Sequence, residues 1–230
     1  PLLKDNFGFT FTQIGIITLV FQMTSSLLQP LMGRYADLHP RPYSLAVGMC
    51  FTLTGLLTLA TAHGFLSILL AVALIGWGSS VFHPESSRVA QLASGGRKGL
   101  AQSIFQVGGN AGSAMGPLLA ALIVIPFGQV SIGWVALAAL LAIFILVRIG
   151  HWYRRQLAAA ARKSAVAAVT AAHGLSKRKI RTAFVILGVL VFSKYFYIAS
   201  MTNYFTFFLM DKFAVSVQGA QYCLFAFLAA

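Results

Sequence analysis

The sequence has 230 residues, of which 58% are hydrophobic and 9% charged, with a formal net charge of +13 at pH 7. A mean hydropathy of +0.82 excludes a water-soluble domain, whose charged share is typically about 25%. The bilayer is the expected solvent, and the only cysteines, Cys50 and Cys223, sit in separate apolar runs that suggest neither a disulfide framework nor a metal site.

Apolar stretches near the roughly 20-residue spanning length run from Thr12 to Ala36, Tyr43 to Ala62, Phe65 to Ala93, Leu100 to Ile125, Val130 to Val147 and Thr182 to Met210. Another begins near Val217. The breaks carry turn or interface residues: His39-Pro40-Arg41-Pro42, His63-Gly64, Gly95-Gly96-Arg97-Lys98, Pro126-Phe127-Gly128-Gln129 and Asp211-Lys212. The chain opens on Pro1 and stops inside an apolar run, so it is expected to be a piece of a longer protein.

Lys and Arg collect on cytoplasmic loops. One side would carry Arg34, Arg41, Arg88, Arg97, Lys98, Arg148 and the basic residues from Arg154 to Arg181, the other only Lys4 and Lys212. The first side is therefore expected to be cytoplasmic. No aromatic residues interleave with the basic clusters as a single-strand binder would need, so nucleic acid is not an expected partner. The Ala-rich basic stretch 150–180 reads as a partly helical cytoplasmic linker. It would join a half-bundle at 1–149, lacking its first helix, to the start of a second at 181–230. Arg154, Arg155, Arg162 and Lys163 could touch anionic lipid there, although ordinary positive-inside topology explains the same charges.

Glu85 alone among the four acids lies well inside an apolar segment, Phe82-His83-Pro84-Glu85-Ser86-Ser87-Arg88. Ionisable groups at membrane depth are costly and mark functional sites. Pro84 removes a helix bond to the Ser80 carbonyl and should loosen the span beside Glu85. Arg88, three residues on, shares a helix face with Glu85. Movement of Arg88 or of water would let Glu85 load and unload a proton; a fixed ion pair near the interface is the equal alternative. His83 lies roughly 200° around the helix from Glu85. It joins the proton-coupling set as a titratable group, against an interhelical hydrogen bond.

Gln22, Ser26 and Gln29 on the first span, and Gln102, Gln106, Asn110 and Ser113 on the fourth, recur at helical spacing. Such stripes line a cavity or join neighbouring helices, and the Gln102 stripe favours the cavity. Lys194 is the cation deep in the sixth span, followed at helical spacing by Tyr197, Met201 and Tyr204. A cation backed by phenols can hold a small anion, which is favoured over snorkelling to the interface. No catalytic, metal-ligating or cofactor-binding constellation appears, so an enzyme is not expected.

Two motifs carry a family resemblance. Gly33-Arg34-Tyr35-Ala36-Asp37-Leu38-His39-Pro40-Arg41 resembles the loop signature of the major facilitator superfamily, with Gly33, Asp37 and Arg41 matching but Leu38 and Pro40 replacing the usual basic residue and Gly. Gly112-Ser113-Ala114-Met115-Gly116-Pro117-Leu118-Leu119-Ala120-Ala121 resembles the fifth-helix signature of its antiporters, with Ala120 and Ala121 where Gly is common, and the four-residue period of Gly108, Gly112, Gly116 and Ala120 predicts a close-packed helix seam. The resemblance implies an all-α membrane protein, a superfamily-like bundle covering about helices 2 to 8 of 12. Gly33, Asp37, Arg41, Gly112, Gly116 and Pro117 would then belong to the gate.

More narrowly, Phe82 to Arg88, Gln102 to Asn110 and Phe192-Ser193-Lys194-Tyr195-Phe196-Tyr197 are similar to bacterial fosmidomycin-resistance proteins. This similarity implies an inner-membrane proton-coupled antiporter exporting an anionic phosphonate, without a cofactor. Its partners would be the substrate, protons and the lipid bilayer. Organic-anion uptake would suit the same Lys194 site. From a different class, a seven-helix retinal-type receptor would use Lys194 as its Schiff-base amine.

Overall fold

The computed structural model describes residues 7–164 and 177–229. Seven long helices account for most of them. We label these α1 (Phe11–Leu38), α2 (Ser44–Ala60), α3 (Phe65–Ala93), α4 (Lys98–Phe127), α5 (Ile132–Ser164), α6 (Lys177–Phe213) and α7 (Val217–Ala229). No strand occurs among the described residues. Five helical stretches are long and apolar enough to cross a membrane, while α2 and α7 are shorter apolar helices. The chain is therefore a multi-pass membrane protein.

Local chemistry sets the helix ends. Thr10 starts α1 through a reciprocal cap: its Oγ1 accepts from the Gln13 amide at 3.2 Å, and Gln13 Oε1 accepts from the Thr10 amide at 2.9 Å. Between α1 and α2, prolines 40 and 42 deny the chain two amide donors, and Ser44 restarts the helix with its hydroxyl donating to the Arg41 carbonyl at 2.9 Å. Gln129, in the α4–α5 turn, donates to the Leu59 and Ala62 carbonyls at 2.7 and 2.9 Å. It thereby ties the end of α2 to that turn, adding to the bonds from the Thr61 and Ala62 amides.

Two helices widen locally into π turns, Met23–Leu27 in α1 and Ala120–Val124 in α4. Each turn contains the carbonyl four residues before a proline: Ser26 before Pro30, and Leu122 before Pro126. A proline cannot bond that carbonyl and its ring collides with it, so an extra residue in the turn moves the oxygen aside. At Pro84 the outcome differs, because α3 runs unbroken through it.

The most extensive packing joins α2 to α3, and glycines allow it. A Cβ built on Gly55 would lie 2.6 Å from Ile75 Cγ1 and 2.8 Å from the Ala71 carbonyl oxygen. Gly78 lies as tightly against Gly48 and Thr52, and Gly76 against Phe21 and Thr24 of α1. In a bilayer, where apolar burial gives no advantage over lipid, such backbone proximity is what holds helices together. The predicted seam on α4 is not where this happens: a Cβ on Gly108, Gly112 or Gly116 would meet nothing within 4 Å. Small residues permit close approach, but the periodicity of one helix does not select its neighbour.

Helix α3 is central, touching α1, α2 and α4, while α5 lies against α2. Leu45 and Ala46 of α2 and Leu146 of α5 form one buried cluster; Ile17, Ala62 and Ile68 belong to another, joined by Phe9. Helix α7 packs on α4 and α6. The fifth span continues past Val147 to Ser164 as one helix, because alanines favour helix after the apolar run ends. Residues 165–176 of the expected linker, and the side chains of Arg162 and Lys163, lie outside the described residues.

Candidate functional site

Glu85 is 2% exposed, and neither carboxylate oxygen has a hydrogen-bond partner among the described residues. It forms part of the wall of a cavity of about 470 Å³, with Met32, Tyr35, Tyr43, Ser44 and Val81 around it. Arg88, Ser44 and Asp37 act on it electrostatically, but the Ser44 hydroxyl is turned to the Arg41 carbonyl. An ionised carboxylate taken out of water costs several kcal/mol unless paired. A change in proton occupancy, or a shift of Arg88, therefore has large energetic consequences here.

Arg88 does not form the expected ion pair with Glu85. Its guanidinium reaches across to α1, donating to the Ala36 carbonyl and pairing with Asp37. Helical spacing makes residues 85 and 88 neighbours, yet the long arginine side chain finds a carboxylate and a helix-terminal carbonyl on the adjacent helix. Gly33 of α1 faces Pro84 of α3 beside this pair, and a Cβ on Gly33 would lie 3.5 Å from Pro84 Cβ, an ordinary contact distance. Arg41 lies over the Tyr35 ring, 5.7 Å from its centroid, and Tyr35 stacks on His39.

Tyr153 was not singled out from sequence. It is 1% exposed, its hydroxyl has no hydrogen-bond partner among the described residues, and it acts on Arg88 electrostatically. The available sequence signal was a phenol set among the basic residues just beyond an apolar span. Close packing of Gly150 against Tyr43, where a Cβ would lie 2.6 Å from Tyr43 Cδ1, brings this part of α5 to the α1–α2 loop. His83 faces away from the cluster, exposed, with Nδ1 3.2 Å from the Ser79 carbonyl of its own helix.

The other predicted residues do not gather around Glu85. Gln102 accepts from the Ser87 hydroxyl at 2.9 Å and so ties α4 to α3. Gln106 donates to Asn110 at 3.1 Å along one face of α4; both are exposed, as are Gly112 and Gly116 elsewhere around the helix, and Pro117 is half-buried. Asn110 lines a cavity of about 340 Å³ with Val107, Ala114, Met115, Phe225 and Leu228, between α4 and α7. Gln22 is exposed on α1. Lys194 is exposed on α6, its Nζ 5.9 Å from the ring centroid of the adjacent Tyr195. Tyr197 meets Phe227 of α7 edge-on with ring centroids 6.5 Å apart, while Tyr204 is exposed. No group of three or more potential metal ligands occurs among the described residues.

Apolar helices, a buried acid at their packed end and an arginine joining two of them define an integral membrane protein with a polar junction inside its bundle. The chain belongs to the Major Facilitator Superfamily, whose family model matches residues 1–230. It is 57% identical over 99% of its length to a fosmidomycin resistance protein of Escherichia coli (strain K12), covering 55% of that protein. It is also 45% identical over 99% of its length to an uncharacterized MFS-type transporter, YfnC, of Bacillus subtilis (strain 168), covering 56% of it. The chain thus spans about half the length of the curated relatives it matches. No solved structure matches it at comparable significance.

Proposed function

We propose that the protein containing this chain is a secondary transporter of the inner membrane, a proton-coupled antiporter that exports small anionic compounds such as fosmidomycin by alternating access. The observation that carries this reading is the 57% identity, over nearly the whole chain, to a protein named for fosmidomycin resistance. Family membership leaves the retinal-receptor reading without support. Organic-anion uptake differs only in direction.

In this reading Glu85 carries the proton, supported by its burial and its two unpartnered oxygens. Arg88 is the movable cation, because its present partner Asp37 belongs to another helix. Gly33, Asp37 and Arg41 serve the gate with Gly112, Gly116 and Pro117. Rocking of helices would break the Asp37–Arg88 pair and alter the charge facing Glu85. Lys194 with Tyr197 and Tyr204, and Gln22, Gln102, Gln106 and Asn110, would line the substrate path. His83 remains a peripheral titratable group on the same helix as Glu85. The basic end of the bundle would face the cytoplasm, as would the stretch 150–180 between the two half-bundles.

The test reconstitutes the complete protein into liposomes under an imposed pH gradient and follows fosmidomycin and proton movement together. Coupled counter-movement supports antiport. Fosmidomycin movement indifferent to the gradient removes proton coupling, and no movement of fosmidomycin removes the substrate.

A further inference from the structure

Beyond the transport cycle, a separate cavity of about 320 Å³ opens at the basic end of the bundle, lined by Arg88, Gln91, Lys98, Tyr153, Leu92 and Leu157, with Pro40. Four of these side chains offer hydrogen-bond donors, and no carboxylate belongs to the lining. Asp37 lines instead the neighbouring cavity, which shares Arg88 and Gln91 with this one. Two of the five guanidinium N–H donors account for Ala36 and Asp37, so Arg88 retains donors for a second acceptor. The Tyr153 hydroxyl is buried at 1% exposure and makes no well-formed hydrogen bond among the described residues, with the Arg88 side chain its nearest electrostatic neighbour. An unsatisfied buried hydroxyl costs on the order of 1–3 kcal/mol, which a bound acceptor would recover.

We infer that this cavity is an anion site for a phosphate group, held by Arg88, Lys98 and the Tyr153 hydroxyl. Such a group supplies several acceptor oxygens and negative charge to match two cations and a phenol. Two sources offer that chemistry: the headgroup of an anionic phospholipid and free phosphate from the water. Leu92, 44% exposed, and the half-buried Leu157 give the cavity an apolar rim where an acyl chain can continue away from the headgroup. The volume suits a headgroup and not a whole lipid. An occupant would share Arg88 with Asp37, linking occupancy to the junction between α1 and α3.

The test titrates the complete protein in neutral detergent with short-chain phosphatidylglycerol, with phosphatidylcholine of equal chain length, and with inorganic phosphate. Thermal stability and native mass spectrometry report binding. Saturable uptake of phosphatidylglycerol, weaker uptake of phosphatidylcholine and competition by phosphate are expected; phosphate binding without lipid preference assigns the site to the free anion. Lys98→Gln should weaken binding about tenfold, and Tyr153→Phe several-fold without any change of charge. Arg148→Gln, which removes an exposed cation of α5 outside the cavity, should leave affinity unchanged. The site is refuted when none of the three ligands binds saturably. It is equally refuted when Tyr153→Phe, shown to be folded, binds as wild type, or when Arg148→Gln costs as much as Lys98→Gln.

Discussion

Arg88 of α3 holds Asp37 at the end of α1, and the same guanidinium takes the Ala36 carbonyl beside it. One cation thus fastens two helices at the charged end of an apolar bundle. Because the Asp37 side chain is 75% exposed, solvent and salt screen the pair. A double-mutant cycle with Asp37→Ala and Arg88→Ala, read by thermal unfolding, is expected to give a coupling energy of about 0.5–1 kcal/mol that shrinks with added salt. A coupling of zero at low salt would mean the two residues do not meet in solution.

The α2–α3 seam supplies a second prediction, on stability. Gly55→Ala places a methyl group 2.8 Å from the Ala71 carbonyl oxygen and 2.9 Å from the Ile75 amide nitrogen, backbone atoms that cannot rotate away. A loss of about 1–3 kcal/mol is expected from overpacking. Gly99→Ala meets nothing within 4 Å and should be neutral or slightly stabilising, since alanine favours helix. Equal stability of the two variants in detergent would contradict the close approach.

These pairings mark how far the sequence reached. The spans were legible because apolar length is a property of each segment alone, and the helices coincide with the predicted stretches to within a few residues, apart from the extension of α5. The burial of Glu85 was legible for the same reason. The partner of Arg88 was not, because helical spacing reports neighbours along one helix while Asp37 arrives from another. Gly48 and Gly55 lie seven apart, a spacing less conspicuous than the four-residue run from Gly108 to Gly116, yet they pack closely because Gly78, Ala71 and Ile75 happen to face them. Tyr153 was hidden in a basic stretch whose charges drew the eye to topology. Gln102 sat correctly on a polar face, but only the structure supplies its partner, Ser87.

Lys194 tests the proposed substrate path independently of the proton. It is exposed on α6, beside the Tyr195 ring and with no carboxylate paired to it among the described residues, so its charge is available to an anion. Lys194→Ala should weaken equilibrium binding of fosmidomycin about tenfold or more, the scale of one charge-assisted hydrogen bond. Lys194→Arg should recover part of the loss. Unchanged affinity in both variants would place the substrate elsewhere.

Glu85→Gln separates the proton from the substrate. The amide nearly matches the carboxylate in shape, and no hydrogen-bond donor among the described residues is aligned on either oxygen, so the variant should fold and retain fosmidomycin affinity within about a factor of three, the ordinary context-dependence of such comparisons. What it loses is the ability to gain and release a proton. In liposomes with an imposed pH gradient, uphill fosmidomycin movement should fall to the level of protein-free vesicles, because the gradient no longer has a carrier through which to act. Substrate-for-substrate exchange across the same membranes needs no net proton transfer and should persist. Loss of exchange as well would indicate that Glu85 supports the structure of the gate; retention of gradient-driven transport would remove it from proton coupling altogether.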